Sequence, residues 1–169
     1  MSEYELEPLR QQILELTKQF ADKLLAPKSF TPGEDPVPVS GKVLTSEDFT
    51  ALVDSSLDGW LTAGRFTVDF ERQLAQFVGA RSALFVNSGS SANLVALSGL
   101  TSKKLGDRSL KAGDEVLTVA MGFPTTVNPI IQNGLRPVVV DVDLDTLDVN
   151  TTRLEEAISP KTKGIMMAH

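Results

Sequence analysis

From residue 82 onward, short apolar runs alternate with helix-length segments, and this alternation limits the possible folds more than any other feature of the chain. Runs of strand length fall at 82–86, 115–119, 137–140 and 163–167, and the stretches 92–100, 125–132 and 152–158 between them read as helices. Strands this short, each separated from the next by a helix, are expected to be parallel, because a parallel pair needs a crossover connection. They are also expected to be covered on both faces. The architecture implied is α/β with a doubly wound, mainly parallel sheet. No repeat of fixed period and no low-complexity segment interrupts it.

The first part of the chain has a different pattern. Leu6, Leu9, Ile13, Leu16, Phe20 and Leu24 recur three or four apart, which predicts an amphipathic helix over 6–25. Pro27, Pro32, Gly33, Pro36 and Pro38 then exclude regular helix and predict an extended connection. A second helix is expected to start at Thr45-Ser46-Glu47-Asp48, where a hydroxyl can cap the first turn and acidic groups suit its dipole, and to end at Asp58-Gly59. A third is expected over 66–78, with Phe70, Leu74 and Phe77 on one side and Gly79 as its stop. The domain reading is a helical arm with a proline-rich connection over 1–59, followed by the start of a larger domain over 60–169.

Composition narrows the function classes. With 41% hydrophobic and 22% charged residues the chain has a globular profile. Its net charge is −6, and its 16 Lys and Arg residues are scattered, which argues against a nucleic-acid partner. With no cysteine, these residues can hold neither a disulfide, a thiolate zinc site nor a thiolate-held iron–sulfur cluster. Glu3, Glu5 and Glu7 at the start are unlike a signal peptide, and no run reaches the roughly 18 apolar residues of a membrane span, so a cytoplasmic location is expected.

Two strand-to-helix turns carry candidate chemistry. In Asn87-Ser88-Gly89-Ser90-Ser91, Gly89 allows close backbone approach, while Ser90 and Ser91 put hydroxyls beside the free N–H groups of a first helical turn, a combination that favours an anion such as phosphate. The same residues also read as an ordinary serine cap, and both readings stand on spacing alone. No Walker lysine and no spaced dinucleotide glycines accompany the turn. Phe123, in Gly122-Phe123-Pro124-Thr125-Thr126, falls at the same edge of the expected sheet, where its ring could stack on a planar heterocycle or pack in the core.

Asp141, Asp143, Asp145 and Asp148 alternate as calcium ligands can, but lack the glycine and terminal Glu of an EF-hand, so a solvated acidic turn is expected and no metal site. His169, the only histidine, fits a structural or a ligand-adjacent role equally.

Taken in order, Gly64, Phe70-Glu71, Gly79, Ser88-Gly89-Ser90, Gly113-Asp114-Glu115-Val116, Phe123, Gly134, Pro137, Asp141-Val142-Asp143, Lys161-Thr162-Lys163 and His169 resemble the sugar aminotransferase and dehydratase family that uses pyridoxal phosphate on nucleotide sugars. The resemblance runs from about Trp60 to the last residue. Within that family the segments Ser40-Gly41-Lys42-Val43, Leu57-Asp58-Gly59-Trp60-Leu61-Thr62, 100–111 and Gly122-Phe123-Pro124-Thr125-Thr126-Val127-Asn128-Pro129 are most similar to the CDP-4-keto-6-deoxyglucose 3-dehydrases of lipopolysaccharide synthesis.

The resemblance implies an incomplete aspartate-aminotransferase-like large domain with an N-terminal helical arm. It implies pyridoxamine or pyridoxal 5'-phosphate, held here by Gly89, Ser90, Ser91 and Phe123, and C-3 dehydration of a CDP-4-keto-6-deoxyhexose. For the full-length protein it further implies a [2Fe-2S] cluster, an NADH-dependent iron–sulfur flavin reductase as electron donor, and a homodimer. In that branch a histidine replaces the usual cofactor lysine. That residue, the aspartate facing the pyridine nitrogen and the cluster cysteines are all expected beyond residue 169, and His169 is not the catalytic histidine. These 169 residues alone are therefore expected to be an inactive N-terminal fragment. The alternatives are an aminotransferase of the same family and a fragment that binds without catalysis.

Overall fold

The structure, a computed structural model, describes residues 3–168. It divides into two compact units, residues 1–83 and 84–169. Among the described residues no helix is long and apolar enough to cross a membrane.

The first unit is helical. Helix α1 (Glu3–Leu24) covers the predicted amphipathic segment and packs against α2 (Ser46–Leu57), burying Ala21 and Ser46. The start of α2 is fixed where the sequence placed it. Thr45 Oγ1 accepts the Asp48 N–H at 3.4 Å, and the Asp48 carboxylate accepts the Thr45 N–H at 2.7 Å, which satisfies two otherwise orphaned donors. Helix α3 (Arg65–Phe77) ends at Gly79, whose φ of +67° lets the Ala80 N–H reach back to the Ala75 carbonyl.

The second unit contains α4 (Gly89–Leu100), a short 3-10 helix (Lys103–Arg108), β1 (Glu115–Val119), α5 (Pro124–Gln132), β2 (Arg136–Val140), α6 (Thr151–Glu156) and β3 (Thr162–Ile165). The strands form a parallel sheet in the order β2-β1-β3. From β1 the chain crosses to one side to form β2, then returns past β1 to form β3, which is the doubly wound pattern the alternation predicted. Leu97, Val116, Ile130 and Leu135 form the core between α4, α5 and β1, with Leu110 and Met166 packed against it. Gly134, at φ +71°, makes the tight exit from α5 into β2.

At the amino edge of the sheet Glu115 is buried but not unpaired. Ser159 Oγ donates to its carboxylate at 2.6 Å, and Arg136 stands 3.7 Å away. One carboxylate thus ties the start of β1 to β2 and to the approach to β3.

Three details differ from the sequence reading. The run 82–86 joins no ladder of the sheet, and Leu84 and Phe85 are exposed. Joining a sheet depends on register with a strand elsewhere in the chain, which local composition does not specify. Coverage on both faces holds for β1, buried at every residue, but not for the edge strands, where Val139 and Ile165 are exposed. The 3-10 helix has no apolar period to announce it, and Gly106 kinks it.

Candidate functional site

In a sheet of this order, ligands bind outside the carboxyl ends of the strands, beside the strand where the winding reverses. Here that strand is β1, and the chain leaving it at Val119 reaches Phe123 four residues later. Phe123 is the N-cap of α5 but offers no side-chain cap, and Pro124 occupies the first helical position. Its side chain is 70% exposed, so it is not a core residue.

The second turn begins α4. Ser88 is the N-cap, and its Oγ accepts the Ser91 N–H at 3.2 Å and donates to Ser91 Oγ, also at 3.2 Å. The Ala92 N–H closes the first intrahelical bond on the Ser88 carbonyl. Among the described residues, no acceptor meets the N–H groups of Gly89 and Ser90. A Cβ built at Gly89 would meet nothing within 4 Å, so the backbone is open on that side. Ser90 is exposed. Ser91 is half-buried and drawn into the cap, which leaves its hydroxyl proton free to donate outward.

One hydrogen bond connects the two turns: Asn93 Nδ2 donates to the Thr125 carbonyl at 3.2 Å. One turn further along, Leu97 shares the core cluster with Ile130, so α4 and α5 run side by side in the same direction. Both helix starts therefore lie at the carboxyl edge. Gly89, Ser90, Ser91 and Phe123, chosen from sequence, thus lie at the starts of two neighbouring helices, and free N–H groups at a helix start favour an anion.

Profile comparison decides the lineage, since the description "DegT/DnrJ/EryC1/StrS aminotransferase family" matches residues 43–169. The chain belongs to this family. Within it, the chain is 55% identical over 161 residues to the lipopolysaccharide biosynthesis protein RfbH of Salmonella typhimurium, covering 95% of this chain and 37% of that protein. It is 50% identical over 141 residues to the dTDP-4-dehydro-2,6-dideoxy-D-glucose 3-dehydratase of Saccharopolyspora spinosa, covering 83% of this chain and 30% of the relative. Among solved structures, GDP-4-keto-6-deoxymannose-3-dehydratase with a trapped PLP-glutamate geminal diamine superposes with a TM-score of 0.68 at 31% identity, over 77% of this chain and 33% of that one. The chain thus spans about a third of the length of the relatives it matches. As the structural likeness bears out, the second unit is part of the α/β fold of these pyridoxal-phosphate sugar enzymes.

The remaining candidates fare differently. The acidic residues after β2 build a turn: the Asp141 carboxylate accepts the Val142 N–H, the Asp143 carboxylate accepts from Asn150 Nδ2 at 2.6 Å, and the Asp143 N–H donates to the Asp148 carbonyl. His169 lies outside the described residues. Asn93 was not picked out from sequence, though Pro129, four residues after Thr125, is a signal that could have pointed to it.

Proposed function

We propose that this chain supplies the cofactor-phosphate cradle and ring plate of an enzyme that uses pyridoxamine or pyridoxal 5'-phosphate to remove the C-3 hydroxyl of a 4-keto-6-deoxy sugar nucleotide. The observation that supports the reading is the Asn93–Thr125 contact, which links the helix start that carries the unpaired Gly89 and Ser90 donors to the one that follows the exposed Phe123. Gly89, Ser90 and Ser91 would hold the phosphate, and Phe123 would lie against the ring. When bound, such a cofactor supplies an amine for the sugar carbonyl and a ring that stores electrons.

The 3-dehydratase relative and the 3-dehydratase structure favour dehydration over amine transfer, and the nucleotides of those two enzymes, dTDP and GDP, differ from one another. A CDP-sugar rests on the resemblance described above, and so do the [2Fe-2S] cluster, the flavin reductase, the homodimer and a cytoplasmic location. The arm over 1–59 and the larger domain from 60 belong to the same proposal. The family description keeps sugar amine transfer as the second reading. On either reading, the proton-transferring base and the acid facing the ring nitrogen come from polypeptide outside these 169 residues, and the chain alone turns nothing over.

The test assays the 169-residue chain and the full-length protein with pyridoxamine 5'-phosphate and a CDP-4-keto-6-deoxyhexose. Turnover by the short chain overturns the division of labour. In the full-length protein Ser90→Ala should weaken cofactor binding by about tenfold or more, since it removes a donor to a charged acceptor. Phe123→Ala should weaken it too, and Phe123→Trp should keep most of it. Unchanged affinity in both Ser90→Ala and Phe123→Ala refutes the site. Accumulation of an aminated sugar selects the second reading.

A further inference from the structure

Helix α5 carries a proline in its interior, and the consequence falls on the candidate site. In an uninterrupted α-helix the Thr125 carbonyl would accept the N–H of the residue four positions on. That residue is Pro129, which has no N–H to give. The vacant acceptor is taken up from the neighbouring helix, where Asn93 Nδ2 donates to it at 3.2 Å. Pro129 is buried, and Asn93 and Thr125 are half-buried, so the bond is shielded from competing water along much of its surroundings.

The position of this bond is as informative as its existence. Asn93 lies one helical turn beyond Gly89, and Thr125 lies two residues beyond Phe123. A single carboxamide therefore links the turn that carries the unpaired N–H groups to the turn that carries the exposed ring. We propose that Asn93 is a positioning residue that sets the separation between the phosphate donors and the Phe123 ring, and that Pro129 serves it by keeping the Thr125 carbonyl open. The inference rests on the cofactor reading above. Asn93 itself touches no reacting group. It acts through the two helix starts, and a ligand that uses only one of them does not depend on it.

That last property supplies the test. Pyridoxamine 5'-phosphate spans both turns and inorganic phosphate only one, so both are titrated into the cofactor-free full-length protein. Asn93→Leu and Asn93→Ala remove the donor without adding a charge near the anion. Each should weaken pyridoxamine phosphate by about three- to tenfold, the worth of one hydrogen bond, while inorganic phosphate stays within about twofold. The induced circular dichroism of the bound ring should fall with the first affinity. Pro129→Ala restores a competing N–H at position 129 and should move the same two readouts in the same direction, with no loss of melting temperature. It keeps the test open should an Asn93 variant not fold.

Wild-type binding and dichroism in the folded Asn93 variants overturn the proposal, and so does an equal loss of both ligands, the sign of a structural role alone. Ser90→Ala and Phe123→Ala serve as controls. If they also bind as wild type, the site itself is wrong. If they weaken while the Asn93 variants do not, only the positioning role falls.

Discussion

In residues 1–83 the best-defined tertiary contacts are charged, whereas in residues 84–169 they are apolar. Arg10 of α1 donates to the Asp54 and Asp58 carboxylates of the α2 region at 2.6 Å, and Arg65, at the start of α3, donates to the same pair at 2.6 and 2.9 Å. Around this cluster the apolar stripe of α1 is open, with Leu16 65% exposed. In the second unit Val116, Leu117 and Ile130 are fully enclosed. Ion pairs at a surface fix direction and contribute little free energy, while enclosed aliphatic groups contribute most of it. The first unit has its helices oriented, and the second has its core filled.

The largest expected contrast follows directly. Leu117→Ala should cost about 2–5 kcal/mol in urea unfolding of this chain, because its neighbours cannot close the cavity. Leu16→Ala should stay within about 0.5 kcal/mol. A comparable loss at Leu16 would break the comparison, by showing that the α1 stripe is covered in solution.

Helix caps should sharpen it at an intermediate level. Thr45 caps α2 in the first unit, and Asn150 caps α6 in the second by accepting the Arg153 N–H at 2.9 Å. Each →Ala change should cost about 1 kcal/mol. The Thr45 loss should appear as lower helicity by circular dichroism before the main transition, and the Asn150 loss within the cooperative unfolding of the sheet.

The smallest effect is expected from acid. Hydrogen bonds from Arg65 and then Arg10 hold the Asp58 carboxyl below the ordinary carboxylate range. Partial burial pushes Asp54 upward, but bonds from the same two arginines outweigh it and leave it lowered as well. A carboxyl lowered in the folded state contributes stability that is fully present above its unfolded value, near pH 4, and is lost as pH falls through its folded value. The α1–α2 pairing should therefore be insensitive between pH 5 and 8 and loosen only below about pH 4, with a smaller change on acidification in high salt, which screens the same charges. Loosening at neutral pH, followed through the Trp60 fluorescence, would assign that pairing to something other than the charges.

The limits of sequence reading fall along the same divide between local and distant causes. The capping box at Thr45, the glycine stop at Gly79 and the strand at 115–119 are written in a few adjacent residues, and all three stand where they were expected. The start of α4 at Ser88–Ser91 was legible for the same reason, since its cap lies within one helix start. The supposed strand at 82–86 failed because pairing is decided by a partner far away in the chain. Asn93 went unnoticed for a related reason. Its meaning comes from a carbonyl 32 residues away, freed by a proline that by itself looks like an ordinary helix irregularity.

Strand β1 is bonded on both sides and all five of its residues are buried, so it is the part of its unit with the least room to open locally. Its amides should exchange with solvent more slowly than those of β2 and β3. Phe123 hangs from this immobile strand by a tether of four residues, no more than about 14 Å even at full stretch. Motion that opens or closes the space between the aromatic ring and α4 must then come from the tether and the first turns of the two helices, with β1 as the fixed frame against which they move.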